Sequence, residues 1–171
     1  QYDAVVANPP YMGSGYFSKA LKSGLRRMGY QTKRSDLYVA FLDRTRSMTL
    51  VDGRWSLVTR QDWMHTRSYG EFRFRHVANT STENLVHLGK GAFPELSGEV
   101  VQAWCMSVLN RKTSALTKFI DVTDINGLQK REHVHDAGRE YVVSSTLFPD
   151  RFGAAFMFRM SENELRALQL P

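Results

Sequence analysis

Four consecutive residues, Asn8-Pro9-Pro10-Tyr11, have the types and order suited to chemistry on a planar amino group. They follow Tyr2-Asp3-Ala4-Val5-Val6-Ala7, a short apolar, β-branched run that reads as a buried strand of a parallel sheet. The two prolines end that run, because each fixes φ and neither donates a backbone N–H. Ligands of open α/β sheets sit outside the carboxyl ends of the strands, so Asn8 and Tyr11 stand where substrates are met. An amino group such as N6 of adenine has two N–H donors and a lone pair spread into its ring. The side-chain oxygen of Asn8 and the carbonyl of Pro9 are two acceptors that can draw such a nitrogen towards tetrahedral geometry. Tyr11 offers a ring on which the base stacks. A turn that simply ends a strand is the plainer alternative. In either case the turn is expected to be exposed at the strand end, with few packing contacts.

The tetrapeptide is similar to the catalytic motif of amino-group methyltransferases that use S-adenosylmethionine. The run Asp3-Ala4-Val5-Val6-Ala7-Asn8-Pro9-Pro10-Tyr11-Met12-Gly13-Ser14 resembles the catalytic segment of large adenine-specific DNA methyltransferases. These are the enzymes of phage exclusion (BREX, PglX-type) and of related fused restriction–modification systems. Ser35-Asp36-Leu37-Tyr38-Val39-Ala40-Phe41, Gln61-Asp62-Trp63-Met64 and Val86-His87-Leu88-Gly89 continue the likeness in the same order. Gly91-Ala92-Phe93 and Gly98-Glu99-Val100-Val101-Gln102 follow, and Tyr141-Val142-Val143 with Phe148-Pro149 resembles the run towards a target-recognition region. The likeness is strongest over residues 2–110.

That resemblance implies S-adenosylmethionine as cofactor and methyl transfer to N6 of an adenine flipped out of double-stranded DNA. Asn8, Pro9, Pro10 and Tyr11 would be catalytic, and other defence-system subunits would be partners. It further implies that Phe93 closes a sandwich around the flipped base, and that Asp36, Leu37 and Phe41 line the adenine side of the cofactor. Phe93 reads equally well as a loop aromatic tucked into the core. Asp36, Leu37 and Phe41 read equally well as a helix cap and a packed stripe. One departure stands out. Such enzymes carry a Gly-rich cofactor loop upstream of the catalytic motif, whereas Asn8 lies eight residues into this chain and no later segment has a strand–GxG–helix pattern. Gly13-Ser14-Gly15 reads as a flexible loop. The expectation is therefore the later half of a methyltransferase domain, cut just before its catalytic strand.

Composition sets the remaining bounds. With 42% hydrophobic and 23% charged residues, the 171-residue chain has the balance of a folded domain or part of one. No apolar run approaches the roughly 20 residues that cross a bilayer, so no membrane role and a cytoplasmic location are expected. Cys105 is the sole cysteine, which excludes an internal disulfide and a cysteine-built zinc site; it reads as a buried thiol. His133 and His135 have no third ligand near in sequence, and no Ser nucleophile elbow occurs.

The net charge of +6 is unevenly placed. Residues 4–35 hold no carboxylate, yet contain Lys19, Lys22, Arg26, Arg27, Lys33 and Arg34. Such a cluster beside the catalytic turn suits phosphate contact, with a solvated helix face as the alternative.

The elements that must position these groups follow from periodicity. Helical spacing covers residues 16–28, with Gly29 as the stop. Ser35 or Asp36 caps a second helix over 37–51 with Leu37, Ala40, Phe41 and Met48 as its packed stripe. Asp52-Gly53 is a turn, 54–59 a strand, 69–77 a helix, and 82–88 and 99–109 two strands close enough to form a hairpin. Trp63 edges the pocket or packs. Beyond a polar, basic stretch at 111–114, a strand over 116–122, a short helix over 124–130 and a capped helix over 161–168 are expected. The fold class is α/β: the later half of a doubly wound, Rossmann-like methyltransferase sheet ending in an antiparallel hairpin. Residues 1–112 are assigned to the catalytic domain and 113–171 to an extension towards target recognition. Methylation of an amino nitrogen in RNA or protein, or a non-catalytic nucleic-acid-binding module, are the rival readings. The basic cluster favours nucleic acid.

Overall fold

The computed structural model describes residues 1–30, 36–92, 102–114 and 116–144. Among them, six strands form one sheet: β1 (Tyr2–Ala7), β2 (Thr49–Arg60), β3 (Ser81–Gly89), β4 (Ala103–Leu109), β5 (Leu116–Asp121) and β6 (Glu140–Ser144). Their order is β1-β2-β4-β3-β5-β6. β1 pairs with β2, and β3 with β5, in parallel; β4 runs antiparallel to both β2 and β3, and β6 antiparallel to β5. The carboxyl ends of β1, β2, β3 and β5 therefore share one pole of the sheet. The expected hairpin of β3 and β4 is present, with β4 lying inside the sheet and β5 and β6 continuing it beyond β3.

Among the described residues five α-helices accompany the sheet: α1 (Lys19–Arg27), α2 (Leu37–Met48), α3 (Asp62–His65), α4 (Gly70–Asn79) and α5 (Lys130–His133). One face of the sheet carries the main core. Tyr38 and Leu42 from α2, Trp63 and Met64 from α3, and Phe72 and Val77 from α4 pack on Trp55, Leu57, Leu85, Met106, Val108 and Phe119. The register explains the selection, since Trp55 lies opposite Val108, Leu57 opposite Met106 and Leu85 opposite Phe119, all on one side of the pleat. On the other face Val86, Ile120 and Val122 meet Cys105, Ile125 and Val134. A third small cluster joins Phe17, Leu21 and Leu25 to Leu37 and Ala40, docking α1 on the start of α2.

Several elements differ from expectation for local reasons. Among the described residues β1 ends the sheet, as the missing cofactor-loop half leads one to expect, and it is not covered as a buried parallel strand would be: only Val5 and Ala7 turn towards the core, and Val6 is 80% exposed. The first helix splits into a 3-10 turn at Ser14–Tyr16 and α1, because the Ser18 hydroxyl accepts the amide of Leu21 and restarts the helix there. Gly29, at φ +82, ends α1: its amide bonds Arg26 O while the amide of Tyr30 bonds Leu25 O. α2 stops at Met48, and its buried stripe is Tyr38, Leu42 and Thr45, leaving Phe41 37% exposed. Asp52-Gly53 is a bulge inside β2 and not a turn, with Asp52 at φ +68. A Cβ on Gly53 would sit 2.7 Å from the carbonyl oxygen of Asp3, so the close approach of β1 requires glycine. The helix expected over 124–130 is instead a 3-10 turn at Gly127–Gln129 followed by α5. Phe93 and residues 94–101 after it, Phe148-Pro149 and the 161–168 helix lie outside the described residues.

Candidate active site

The Asn8-Pro9-Pro10-Tyr11 turn leaves the carboxyl end of β1 with its four residues in different environments. Asn8 and Pro10 are exposed, Pro9 is buried and Tyr11 is half-buried. An exposed Asn8 keeps its side-chain oxygen available as an acceptor, and a buried Pro9 fixes the turn against the core. Tyr11 packs on the main core and meets Tyr38 edge-on, with ring centroids 5.9 Å apart and planes at 82°. Its hydroxyl is buried and has no hydrogen-bond partner among the described residues. Burial pushes that hydroxyl up to about 12, with Asp36 and Cys105 adding to the shift and Arg60 opposing it. Tyr11 is thus a neutral ring at working pH. The turn is not the loosely held exposed segment that its sequence suggested.

What holds it is the start of α2. The amide of Met12 donates to Asp36 Oδ1 at 2.8 Å, and the amide of Leu37 donates to the Met12 carbonyl at 2.8 Å. Gly13 and Asp36 pair as an isolated antiparallel bridge. Asp36 also caps α2, accepting the amide of Tyr38 at 3.4 Å. Its own amide donates to the Tyr69 hydroxyl at 3.1 Å.

The neighbouring end of β2 builds the second wall. Arg60 and Asp62 form an ion pair at 2.7 Å, both partly exposed. Gln61 donates its amide to the carbonyl of Gln102 at 3.3 Å, tying this corner to the start of β4. Trp63 is fully buried, its indole N–H donating to Thr59 Oγ1, so it packs and does not edge the pocket. The guanidinium of Arg73, itself buried, donates to the carbonyls of Trp63 and Thr66 and clamps α3. His76 lies under Trp55, Trp63 and Phe72. Burial pushes it down to about 3, with Arg46 and Lys112 acting in the same sense, so it is neutral. At the end of β3, His87 stacks on Trp104 at 4.0 Å, with its Nε2 3.0 Å from Gln102 Oε1.

The basic residues named from the sequence fall on α1, which α2 seats beside the turn. Leu21 and Leu25 face the small core, while Lys19, Arg26 and Arg27 are exposed and Lys22 half-exposed on the opposite arc. Of the residues implied to line the cofactor, Leu37 is buried between α1 and α2, Phe41 is open on α2, and Asp36 is engaged with the turn. The residues that spacing did not single out are Tyr69, Arg60 and Arg73. Tyr69 meets Asp36 across 33 residues, and no local pattern encodes such a contact. The position of Arg73 between Phe72 and Phe74, in an aromatic-rich helical run, was the one available hint at it. Among the described residues no group of three or more His, Cys, Asp or Glu is placed to hold a metal. No helix there is long and apolar enough to cross a membrane.

Residues 1–93 match the model of the Eco57I restriction-modification methylase family. The adenine-specific methyltransferase PglX of Lacticaseibacillus casei (strain Zhang) is 30% identical over 177 residues, a span of 99% of this chain and 15% of that protein. The adenine-specific methyltransferase BrxX of Escherichia coli O9:H4 (strain HS) is 35% identical over 138 residues, 78% of this chain and 11% of that protein. The chain thus spans about a seventh or less of the curated relatives' lengths. The ATP-dependent Type ISP restriction-modification enzyme LlaBIII, solved bound to DNA, shares the fold with TM-score 0.64 at 12% identity, covering 93% of this chain and 13% of that one. The chain shares the fold of that restriction–modification enzyme, and it belongs to the Eco57I restriction-modification methylase family.

Proposed function

We propose that this chain carries the substrate side of the catalytic domain of an adenine-specific DNA methyltransferase acting in phage defence or restriction–modification. The observation that supports it best is the Asn8-Pro9-Pro10-Tyr11 turn at the carboxyl end of β1, with Asn8 open and Tyr11 seated against the core. The Asn8 oxygen and the Pro9 carbonyl accept hydrogen bonds from the two N6 hydrogens of adenine. That removes N6 conjugation with the ring and leaves a lone pair able to attack. The ring of Tyr11 holds the base, and Pro10 keeps the two acceptors at a fixed separation.

Members of the family generally use S-adenosylmethionine, which when bound supplies an electrophilic methyl group. On the residues present, the exposed ring of Phe41 near the start of α2 suits the adenine end of that cofactor. Leu37 lies too deep to touch it and supports α2 from within. The partner is double-stranded DNA with the target adenine flipped, its phosphates met by Lys19, Lys22, Arg26 and Arg27, and Phe93 lies on the far side of the base. Other subunits of a defence system join the same protein, in the cytoplasm. Residues 113–171 lead on towards target recognition, their first strands continuing the catalytic sheet.

Methylation of RNA or protein amino groups is the rival that experiment must separate. The natural full-length protein, given labelled methyl donor with duplex DNA, RNA or protein, is expected to label DNA, and Asn8→Ala is expected to abolish it. Labelling of RNA or protein in preference to DNA would overturn the proposal.

A further inference from the structure

We propose that Asp36 is a positioning residue that sets the catalytic turn, and that Tyr69 fixes Asp36 from behind. The inference rests on the proposed catalytic role of Asn8 and Pro9. Asp36 Oδ1 is shared by two amides, Met12 of the turn at 2.8 Å and Tyr38 of α2 at 3.4 Å. The backbone of the same residue pairs with Gly13, and the next amide, Leu37, returns a bond to Met12 O. Met12 and Gly13 of the turn are thus joined to Asp36 and Leu37 at the helix start. Met12 lies one residue beyond Tyr11, so its amide and carbonyl define the direction in which the turn leaves the site.

Tyr69 closes the brace. It precedes α4, packs against the main core and accepts the Asp36 amide at 3.1 Å. That amide is an orphan of the α2 start, with no carbonyl four residues before it to bond within the helix. The brace runs from the core through Tyr69 and Asp36 to Met12, and hence to the acceptors at Asn8 and Pro9. A carboxylate is not needed for this. One acceptor oxygen in the right place suffices, so an amide side chain of the same shape would serve. A residue that met the cofactor with its charge would not tolerate that change.

The natural full-length protein tests this with Asp36→Ala, Asp36→Asn and Tyr69→Phe, read by single-turnover methyl transfer to duplex DNA, the cofactor KM and hydrogen exchange at the Met12 amide. Asp36→Ala is expected to slow transfer by about 100-fold, the scale of an ångström of misplacement, with cofactor KM nearly constant and Met12 protection lost. Asp36→Asn should recover most of the rate and the protection, and Tyr69→Phe should fall between. A raised cofactor KM shared equally by Ala and Asn would overturn the proposal, as would full Met12 protection in Asp36→Ala. If Asp36→Ala does not fold, the other two variants decide: a slowed Tyr69→Phe beside a near-normal Asp36→Asn supports the brace, and a Tyr69→Phe at full rate contradicts it. Asn8→Ala separates the underlying reading, because its full activity would refute the catalytic turn while Met12 exchange still reports on the brace.

Discussion

At Tyr11 the ring and the hydroxyl separate. The ring packs on Tyr38 and the main core, whereas the hydroxyl is buried without a partner among the described residues. An unsatisfied buried hydroxyl costs about 1–3 kcal/mol. Tyr11→Phe is therefore expected to hold or raise the melting temperature and to keep methyl transfer, since stacking needs only the ring. Tyr11→Ala is expected to lose both transfer and roughly 2 kcal/mol of stability, less than a fully buried aromatic would lose. Thermal denaturation and a transfer assay on the two variants check this. A Tyr11→Phe variant as inactive as Tyr11→Ala would show that the hydroxyl takes part. The motif itself was legible in the sequence, because its chemistry depends on four consecutive residues. The burial of Pro9 and Tyr11 was not, because it depends on α2 and Tyr38 arriving from elsewhere in the chain.

Among the elements, α1 and α4 carry separable expectations. On α1 the basic arc faces away from the small core, so replacing Lys19, Lys22, Arg26 and Arg27 together should weaken DNA binding alike for all sequences. The salt dependence should flatten by a slope of about 0.9 for each phosphate that the variant leaves unneutralised. An unchanged slope in a binding titration would make the arc a solvated face. On α4, His76 is buried and neutral, held at about 3 against an ordinary value of 6.5. The unfolded chain takes up that proton first on acidification, so stability is full above about pH 6.5 and falls as pH drops towards 3. The slope is about 1.4 kcal/mol per pH unit in that window. Replacing His76 by Gln should flatten the curve of unfolding free energy between pH 6.5 and 5; an identical slope would place the acid sensitivity elsewhere. Helix and strand identities were largely legible from periodicity, whereas their ends were set by local contacts: the Ser18 cap, the bulge at Asp52 and the Asp62–His65 helix held by Arg73.

At the scale of the whole molecule, the parallel direction of β1, β2, β3 and β5 brings the Asn8–Tyr11 turn, the Arg60–Asp62 corner and the ends of β3 and β5 to one pole. The helix-then-strand order made that α/β arrangement legible. The placement of β4 between β2 and β3 was not, because both hairpin partners read alike in sequence. The sequence contains no Gly-rich strand-to-helix loop, so the 171-residue chain by itself is expected to bind S-adenosylmethionine very weakly in calorimetry and to show no turnover. Tight binding would mean that a complete cofactor site lies within these residues. The central claim is that Asn8 and Pro9 present their acceptors to an adenine amino group. Its most direct test is mass spectrometry of nucleosides from unmethylated duplex DNA incubated with methyl donor and the natural full-length protein, wild type or Asn8→Ala. N6-methyladenine is expected with the wild type and none with Asn8→Ala at an unchanged melting temperature; N6-methyladenine at the wild-type level from a folded Asn8→Ala protein would contradict the claim.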